Sequence, residues 1–304
     1  MSVRSKGSLC RFAVRDEETY GTFSAANVSR YGGALSTLDT TAAKSWEEDP
    51  GECTYAFSKA YNTGNDYGFK ATFTHPRSSA WYNWVIMSMG ALTGIGDIRD
   101  IVSFTSRIKI ASDELMAFLG CKINTFKISS SKVGGALSFE ADVLAQYCDL
   151  SSTTSFEDAL GSSFIFADVD RPDYSPITDN TSLYYSINNG VTWLNCDAKT
   201  WSITITRNLM ADADTVSDRP LNAGRSLTPQ ECTIALEFTQ LSRSSVWDSL
   251  KLTEVTDIQF KKVIDGTTVI LTGGYITGDM PSRSQATYDE TTKVTMKDMT
   301  VTVP

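Results

Sequence analysis

The sequence predicts a mainly β fold that is built twice along one chain. Stretches in which apolar and polar residues alternate greatly outnumber helical patterns, and a period of two is typical of strands with one buried face. An ordered set of elements between Tyr67 and Ala145 returns in shortened form between Thr233 and Val303. Helical patterns occur once per copy, which favours a helix that flanks a sheet over alternating parallel α/β units. We therefore expect a β-dominated fold with one flanking helix per repeat.

The repeat depends on two local correspondences. Arg77-Ser-Ser-Ala-Trp81 matches Arg243-Ser-Ser-Val-Trp247 at an offset of 243 − 77 = 166, and a Phe-Thr pair precedes each stretch. Gly120-Cys-Lys-Ile123 matches Gly273-Gly-Tyr-Ile276 at an offset of 276 − 123 = 153. The falling offset predicts a shorter connection between helix and strand in the second copy. An internal repeat takes precedence in assigning a fold, because each copy is one structural unit.

In the first copy, the helix pattern carries an aromatic stripe. Trp81, Trp84, Val85 and Ser88 fall at i, i+3, i+4 and i+7, so one face of a helix over Arg77–Gly90 should pack on a sheet. The strands predicted for this copy are Glu52–Lys59, Tyr67–His75, Ser103–Ile110, Phe118–Ser129 and Leu137–Ala145. A turn is expected near Gly134-Gly135, where a positive φ is accessible without strain.

The second copy is predicted from the same kinds of pattern. Its strands are Thr233–Thr239, Ile258–Ile264, Thr268–Thr277 and Lys293–Val303, with a helix that begins near Arg243. Before it, Trp201–Arg207 alternates apolar residues with Thr and Ser and is predicted as an edge-type strand, and Asp212–Pro229 as a polar loop. Leu9–Val14 is predicted as a further short strand.

The domain organisation follows from these patterns. Residues 1–50 are rich in Ser, Thr, Gly and Ala and are predicted to form an extended N-terminal arm. Residues 51–150 form the first repeat, residues 151–182 a connecting segment rich in Ser, Asp and Pro, and residues 183–304 the second repeat. A chain of 304 residues suits two units of about 150 residues each.

Charge and cysteine usage exclude several classes of protein. A net charge of −9 argues against a nucleic-acid-binding surface, because phosphate contacts need clustered Lys and Arg. No apolar run approaches the roughly 18 residues of a membrane span, and the basic N-terminus lacks a signal-peptide core, so we expect a soluble protein made in the cytoplasm. Six cysteines without C-x-x-C spacing favour free thiols over zinc or a disulfide scaffold. They are Cys10, Cys53, Cys121, Cys148, Cys196 and Cys232.

No arrangement of residues predicts catalysis, a metal site or a cofactor. The sequence contains no G-x-S-x-G nucleophile elbow whose serine the single histidine, His75, could activate. Asp168-x-Asp170-x-x-Asp173 and Asp212-x-Asp214 lack the glycine and the distal Glu of a calcium loop, so they are interpreted as solvated loop carboxylates. The glycine-rich Gly90–Gly96 follows a helix, whereas phosphate binding needs a helix N-terminus after the loop. The chain is predicted not to be an enzyme.

Three stretches resemble the tail tube proteins of long-tailed, siphovirus-like bacteriophages. Glu17-Glu-Thr-Tyr-Gly-Thr22 is similar to an E-x-x-Y-G-T opening of that family. Phe118–Ser129, followed by Gly134-Gly135 and Leu137–Val143, resembles a characteristic hairpin, and Thr200–Leu209 resembles a strand of the family. Together these stretches span most of the chain.

The resemblance implies a structural virion protein with a duplicated phage tail-tube fold, which is a β-sandwich or barrel with one flanking helix per repeat. It also implies that the protein self-assembles into stacked rings around a hollow lumen. Duplicated members of the family form trimers, which are pseudo-hexameric rings, whereas single-fold members form hexamers; the repeat favours the trimer. The implied partners are a tape-measure protein, tail terminator and distal tail proteins, and DNA that passes through the lumen without specific binding. The implied location is the virion tail, after synthesis in the host cytoplasm.

Two surfaces are assigned roles on this hypothesis. An acidic inner wall would repel phosphate, and the hairpin faces that carry Glu140 or Asp142 are candidates for it. The arm at residues 1–50 is the candidate for contact between rings.

Two alternative functions remain at this stage. One is another tail component with the same fold, such as a distal tail, hub or terminator protein. The other is a carbohydrate-binding β-sandwich, for which Tyr184, Tyr185, Trp193 and Trp201 could form a sugar platform, although aromatic side chains are equally common in cores and interfaces.

Overall fold

The protein is mainly β in the part of the chain that the structure describes. This computed structural model describes residues 11–17, 19–20, 29–30, 35–49, 59–74, 78–90, 101–109, 115–130, 137–149, 182–211, 227–241, 254–264, 266–276 and 289–302. The strands of the first half are β1 (Arg11–Asp16), β2 (Ser29–Arg30), β3 (Leu35–Asp49), β4 (Lys59–Thr74), β5 (Phe104–Lys109), β6 (Leu115–Ser130), β7 (Leu137–Ala145) and β8 (Tyr147–Asp149). Those of the second half are β9 (Tyr184–Ser186), β10 (Leu194–Asn195), β11 (Ala198–Thr206), β12 (Leu209–Ala211), β13 (Leu227–Pro229), β14 (Thr233–Leu241), β15 (Gln259–Ile264), β16 (Thr267–Ile276) and β17 (Asp289–Thr302). Helix α1 spans Ser78–Met89, and a 3₁₀ turn spans Val255–Asp257.

The same order of seven antiparallel strands occurs twice. In the first half, neighbouring strands follow the order β2-β1-β5-β6-β7-β4-β3. In the second half the order is β10-β9-β15-β16-β17-β14-β11, so each strand has a counterpart in sequence order. We call these two sets of strands the first and second unit.

The register of the outer hairpin of each unit is also repeated. The outer hairpin is β3–β4 in the first unit and β11–β14, with its β12–β13 extension, in the second. Two residue pairs of β3 and β4 recur in the second unit 165 positions later in the sequence (202 − 37 = 165, and likewise 237 − 72, 211 − 46 and 227 − 62). They are Thr37–Thr72, which corresponds to Ser202–Glu237, and Trp46–Asn62, which corresponds to Ala211–Leu227. The short β12–β13 ladder is therefore the counterpart of the far end of the β3–β4 hairpin.

A glycine with positive φ interrupts the same strand in both units. Gly120 in β6 has φ +61° and Gly273 in β16 has φ +68°, at the offset of 153 that the sequence alignment predicts. A residue with a Cβ is strained in this conformation, which explains why glycine occupies both positions. Gly120 lies in the register shift of the β5–β6 ladder, between the pairs Ser106–Phe118 and Phe104–Cys121. Gly273 directly follows the last pair of the β15–β16 ladder, Gln259–Thr272.

Helix α1 packs its aromatic stripe on the first unit, as predicted. Trp81, Trp84, Val85 and Ser88 are all buried to 1% exposure or less. The ring of Trp84 lies 5.0 Å from that of Phe73 and 6.3 Å from that of Phe126. Aromatic pairs at such separations add to the gain from burying apolar area, so this contact fixes the helix on the sheet. One hydrophobic core runs from these residues into the second unit.

The two units are joined by a continuous sheet. Residues 125–130 of β6 pair with β7 on one edge and with β11 on the other. The prediction that Trp201–Arg207 forms an edge strand is therefore wrong, because β11 also pairs with β14. Alternating Thr and Ser indicate that one face is open to solvent and carry no information about the edges of a strand.

The other predicted elements have mixed outcomes. The strands predicted around Leu9–Val14, Ser103–Ile110, Phe118–Ser129 and Leu137–Ala145 are confirmed within a few residues, as are those of the second copy. The strand predicted at Tyr67–His75 is the second half of a longer one, because β4 begins at Lys59. The end of the predicted loop Asp212–Pro229 forms β13 instead, because Leu227–Pro229 pairs with β12. Residues 52–58, the turn near Gly134-Gly135, the helix near Arg243 and most of the connecting segment lie outside the described residues.

The predicted N-terminal arm contains regular structure. Strand β1 pairs with β5, and β3 pairs with β4 along nearly its whole length. The boundary predicted between residues 50 and 51 thus falls between two partner strands. The repeated topology begins at Arg11, before that boundary.

Candidate assembly junction

Residues from three separate parts of the chain meet beside the ladder between β6 and β11. They come from the turn after β1, from the centre of β6, and from β13. We call this place the internal junction and define it by Glu17, Tyr20, Lys122, Asn124 and Leu227. Each contributes a polar contact that crosses between elements distant in sequence.

Glu17 fixes the turn after β1 against the first unit. A carboxylate oxygen of Glu17 accepts hydrogen bonds from the Gly120 amide at 2.9 Å and from the Thr105 hydroxyl at 2.7 Å. The Glu17 amide donates to the carbonyl of Ser103 at 3.1 Å. Bonds to a carboxylate are stronger than those between neutral groups, so Glu17 ties β1, β5 and β6 together.

Tyr20 and Lys122 hold a strand of the second unit. The amide of Leu227 in β13 donates to the hydroxyl oxygen of Tyr20 at 3.1 Å, and its carbonyl accepts from the Lys122 ammonium at 2.8 Å. The Lys122 nitrogen also lies 4.6 Å from the centre of the Tyr20 ring, which is cation–π range. The main chain of Leu227 is thus held on both its donor and its acceptor side.

Asn124 secures the start of the β12–β13 extension. Its side-chain oxygen accepts from the Leu209 amide at 3.0 Å, and its main-chain carbonyl accepts from the Arg207 amide at 2.8 Å. The Asn124 side-chain nitrogen donates to Asp142 at 3.1 Å, which fixes the orientation of the amide. The junction therefore binds main-chain groups of the outer hairpin of the second unit and holds that hairpin against β6.

The two strands equivalent to those of the internal junction have open edges. Among the described residues, β3 pairs only with β4, so its outer edge is open. Also among the described residues, Gly274–Ile276 of β16 extend past the end of the ladder with β15 and pair only with β17. By the offset of 153, Gly274–Ile276 correspond to Cys121–Ile123 of β6, which lie beside the ladder that Thr125–Ser130 form with β11.

The face of the sheet that points away from the core carries paired charges. Opposite charges lie on neighbouring strands at four places: Lys70 with Asp39, Lys70 with Asp142, Lys127 with Glu140, and Lys293 with Glu237. Of the two carboxylates predicted for an acidic wall, Glu140 is exposed, whereas Asp142 is half-buried against Asn124. These positions carry three lysines against four carboxylates, so the surface that they form has paired charges and a small negative excess.

A shallow groove of about 190 Å³ lies on this face beside the junction. Its lining is mainly hydroxyl and charged: Lys127, Ser129, Ser130, Thr200, Trp201, Ser202 and Glu237. The groove is open to solvent and narrow compared with the roughly 300–1,000 Å³ typical of small-molecule sites. It carries no arrangement that suggests catalysis.

Several of the residues considered above for catalysis, metal binding or phosphate binding lie outside the part of the chain that the structure describes. His75, the aspartates at 168, 170, 173, 212 and 214, Gly94 and Gly96 lie outside it. Within the described residues, no group of three or more His, Cys, Asp or Glu side chains is placed to hold a metal ion. Cys121, Cys148, Cys196 and Cys232 are free thiols. Where the structure describes a helix, none has the length and apolar character needed to cross a membrane.

The four aromatic residues considered as a sugar platform do not share one surface. Tyr185 and Trp201 are buried at 1% and 5% exposure. Tyr184 and Trp193 are half-buried and flank the ammonium of Lys261, which lies 5.5 Å and 4.5 Å from the two ring centres. Half of the predicted platform is therefore part of the core.

Sequence comparisons do not add a family. No protein-family model matches the chain, and no curated protein matches its sequence. A proposal of function therefore depends on the sequence motifs and on the geometry of the junction and of the two units.

Proposed function

We propose that this chain is a tail tube protein, which assembles as trimeric, pseudo-hexameric rings that stack into the hollow tail of a siphovirus-like bacteriophage. The observation that carries the proposal is the internal junction. It joins β6 of one unit to the outer hairpin of the next. In the described part of the chain, Tyr275, the counterpart of Lys122, is exposed, and the β3–β4 hairpin, the counterpart of the hairpin held at the junction, has an open outer edge. The duplicated fold is interpreted as a tail-tube fold for the same reason.

The open edges support assembly because they are complementary. A contact between Tyr275 in β16 of one chain and the β3–β4 hairpin of another would repeat the contact that Lys122 in β6 makes with Leu227 inside the chain. Such a head-to-tail contact is heterologous, and it closes a ring when the rotation between units divides a full turn. With two units per chain, a ring of six units needs three chains.

The long hairpin of the first unit also favours a neighbour. In the described structure, residues Lys59–Asp66 of β4 pair only with β3, whereas Tyr67–Thr74 also pair with β7. A two-stranded hairpin by itself is marginally stable in water. Exposed strand edges moreover template pairing with other chains. The projecting half of this hairpin is therefore suited to contact another subunit, which could lie in the same ring or in the next one.

The electrostatics are compatible with a conduit for DNA. The net charge of −9 disfavours a surface that binds phosphate. The face beside the junction offers hydroxyl groups and paired charges rather than a lysine or arginine cluster. On the proposal, DNA slides through the lumen, and a tape-measure protein fills it during assembly. Terminator and distal tail proteins would cap the two ends.

Electron microscopy of the purified chain tests this function. Negative-stain images with mass photometry should show rings of three chains and, at higher concentration, hollow tubes. Replacing residues 46–61 by Asn-Gly removes the projecting hairpin but retains the part of β4 that pairs with β7, so this variant should fold and fail to form tubes. A wild-type chain that stays monomeric at high concentration would refute the proposal.

Two related outcomes would modify it. Rings of six chains would retain the tube function but contradict the assignment of two ring positions to each chain. Rings of three chains that never stack would favour a terminator, hub or distal tail protein, which occurs once per tail.

A further inference from the structure

The second unit carries an exposed counterpart of the internal junction. Tyr275 in β16 corresponds to Lys122 in β6, because 275 − 122 = 153, the offset of the two positive-φ glycines. The side chain of Tyr275 is 49% exposed, which is unusual for so large an aromatic group. Lys122, by contrast, is partly covered by Leu227 and Tyr20.

The surroundings of Tyr275 repeat those of Lys122. In the first unit, the residue after β1, Glu17, donates its amide to Ser103 just before β5. In the second unit, Asn189 after β9 donates its amide to Asp257 just before β15, at 3.1 Å. Gly273 donates its amide to Ile258, the next residue, at 2.9 Å. The turn after β9 and the positive-φ glycine thus lie at one end of the sheet, as they do in the first unit.

The turn after β9 is well ordered and exposes apolar side chains. The Ser186 hydroxyl oxygen accepts from the Gly190 amide at 3.0 Å, and the Asn188 side-chain oxygen accepts from the Thr192 amide at 2.9 Å. Its tip residue, Val191, is 81% exposed. A rigid turn loses little conformational freedom on binding, so an exposed apolar tip on such a turn suits an interface.

We propose that Tyr275 and the turn after β9 form the seat for the β3–β4 hairpin of a second copy of this chain. The contacting residue of that hairpin is Asn62, because Asn62 corresponds to Leu227 at the offset of 165. The inference rests on the proposed self-assembly and specifies its interface.

The chemistry at the two seats is similar although the residues differ. Lys122 donates from its ammonium to the Leu227 carbonyl. Tyr275 has a long side chain with a hydroxyl donor at its end, so it can donate to the Asn62 carbonyl of the second copy in the same way. Its ring also covers apolar surface, which lysine achieves with its methylene stem.

A second copy is the occupant that the chain itself specifies. Within one chain, the β12–β13 hairpin fills the seat of the first unit. The equivalent β3–β4 hairpin and the seat of the second unit stay open in the part of the chain that the structure describes. The described part of each chain thus has one open seat and one hairpin without a seat. Head-to-tail contacts between copies would bring the two together, with no other protein needed.

Photo-crosslinking tests the contact directly. The variant Tyr275→p-benzoylphenylalanine places a reactive aromatic ring at the seat and retains the shape of the side chain. Illumination of assembled protein should link neighbouring chains, and the linked site should lie in the tryptic peptide of residues 60–70, which contains Asn62. Cross-links that map elsewhere, or none in protein that forms rings, would overturn the proposed seat and leave the tube function standing.

Substitutions provide the matched comparison. Tyr275→Asp should raise the concentration at which half of the chains are assembled by about tenfold or more, because it removes a donor and an apolar contact. Tyr275→Lys copies the first unit and should assemble within about threefold of wild type. Thr302→Asp adds a charge to an exposed position opposite Thr268, at the other end of β16, and is the control.

The outcomes separate the two proposals. All variants should retain wild-type circular dichroism and thermal unfolding, since both substituted side chains are partly or largely exposed. If Tyr275→Asp and Thr302→Asp lose assembly equally, or if neither loses it, the proposed seat is contradicted and the tube function is not. Failure of the unmodified chain to assemble at any concentration contradicts the seat and the tube function together.

Discussion

The main-chain amide of Gly120 donates a 2.9 Å hydrogen bond to the carboxylate of Glu17, which lies 103 positions earlier in the chain. Gly120 has a positive φ that turns its amide out of the ladder between β5 and β6. Without an acceptor, this part-buried amide would lose its bond to water and gain nothing in return. The bond thus couples the turn after β1 to the irregularity in β6, beside the internal junction.

Gly120→Ala should destabilise the chain more than Gly266→Ala. Both glycines have positive φ, +61° and +75°, so each substitution carries a conformational cost of about 1 kcal/mol. At Gly120, a Cβ would also lie 2.6 Å from the Cβ of Gln146. Gly266 is exposed. We expect a loss of about 3 kcal/mol at Gly120 against about 1 kcal/mol at Gly266, measured by urea unfolding of the full chain. Equal losses would contradict the crowding at Gly120.

Glu17→Ala should lower stability by about 1–3 kcal/mol, because the Gly120 amide and the Thr105 hydroxyl lose their acceptor. Glu17→Gln retains an oxygen that both groups can reach and should cost less than half as much. Thermal unfolding of the two variants side by side gives the measurement. If Gln is as damaging as Ala, the charge of Glu17 matters more than its position as an acceptor.

Asn124→Ala should loosen the β12–β13 extension. The substitution removes the acceptor of the Leu209 amide and the donor to Asp142, at an expected cost of about 2 kcal/mol. Hydrogen exchange should rise in residues 209–211 and 227–229 more than in β14. The control is Asn195→Ala, which removes an exposed contact to the Asp197 amide and should leave that exchange unchanged. A uniform increase in both variants would indicate that Asn124 does not act locally.

Lys262→Met should stabilise the protein in a pH-dependent way. Lys262 is 1% exposed, and burial lowers its pKa from 10.5 to about 7. The unfolded chain therefore binds the proton more tightly, and this lysine opposes folding increasingly as the pH falls from 10.5 to about 7. The cation–π contact with Trp201, at 4.7 Å, offsets part of that cost.

We expect Lys262→Met to gain about 2–4 kcal/mol at pH 6 and almost nothing near pH 10.5, in urea unfolding at each pH. The half-buried neighbour Lys261 is the control, and Lys261→Met should change stability by less than about 1 kcal/mol. A gain that does not vary with pH would show that packing, and not protonation, causes it.

Cys121 and Cys196 should react with a thiol reagent far more slowly than Cys232. Burial is the main cause that raises the pKa of both thiols, with smaller contributions from the charge of Glu17 at Cys121 and of Asp197 at Cys196. Because the thiolate is the reactive form, labelling of the folded chain should be at least about 100-fold slower at these two positions than at the half-buried Cys232. Mass spectrometry of a labelling time course gives the rates. Similar rates at all three thiols would indicate that the folded chain opens readily in this region.

Elements whose pattern is local can be predicted from the sequence. The alternation in Leu137–Ala145 and the stripe of Trp81, Trp84 and Val85 identify a strand and a helix, because burial of one face follows the geometry of a single element. The correspondence of Gly120 with Gly273 is predictable in the same way, since a positive φ restricts the residue type wherever it occurs.

Contacts between elements cannot be predicted in this way. The alternation in Trp201–Arg207 shows that one face is buried, but the ladder partners on its two edges depend on how distant strands pack. Glu17, Tyr20 and Asn124 belong to recognisable motifs, yet no pattern shows which main-chain groups they bind. The buried position of Arg207 also has no sequence signal, because charged residues are usually exposed.

The mainly β character of this chain and the repeated patterns along its length follow from the sequence alone, because hydrophobic periodicity and glycine geometry act over a few residues. Tertiary structure decides that β6 meets β11, that Tyr275, the counterpart of Lys122, stays exposed, and that the outer edge of β3 is open among the described residues. The pair Ile128–Ile203, for example, joins residues that are 203 − 128 = 75 positions apart. The free energy of such pairings comes from packing and hydrogen bonds between elements, which no local pattern encodes.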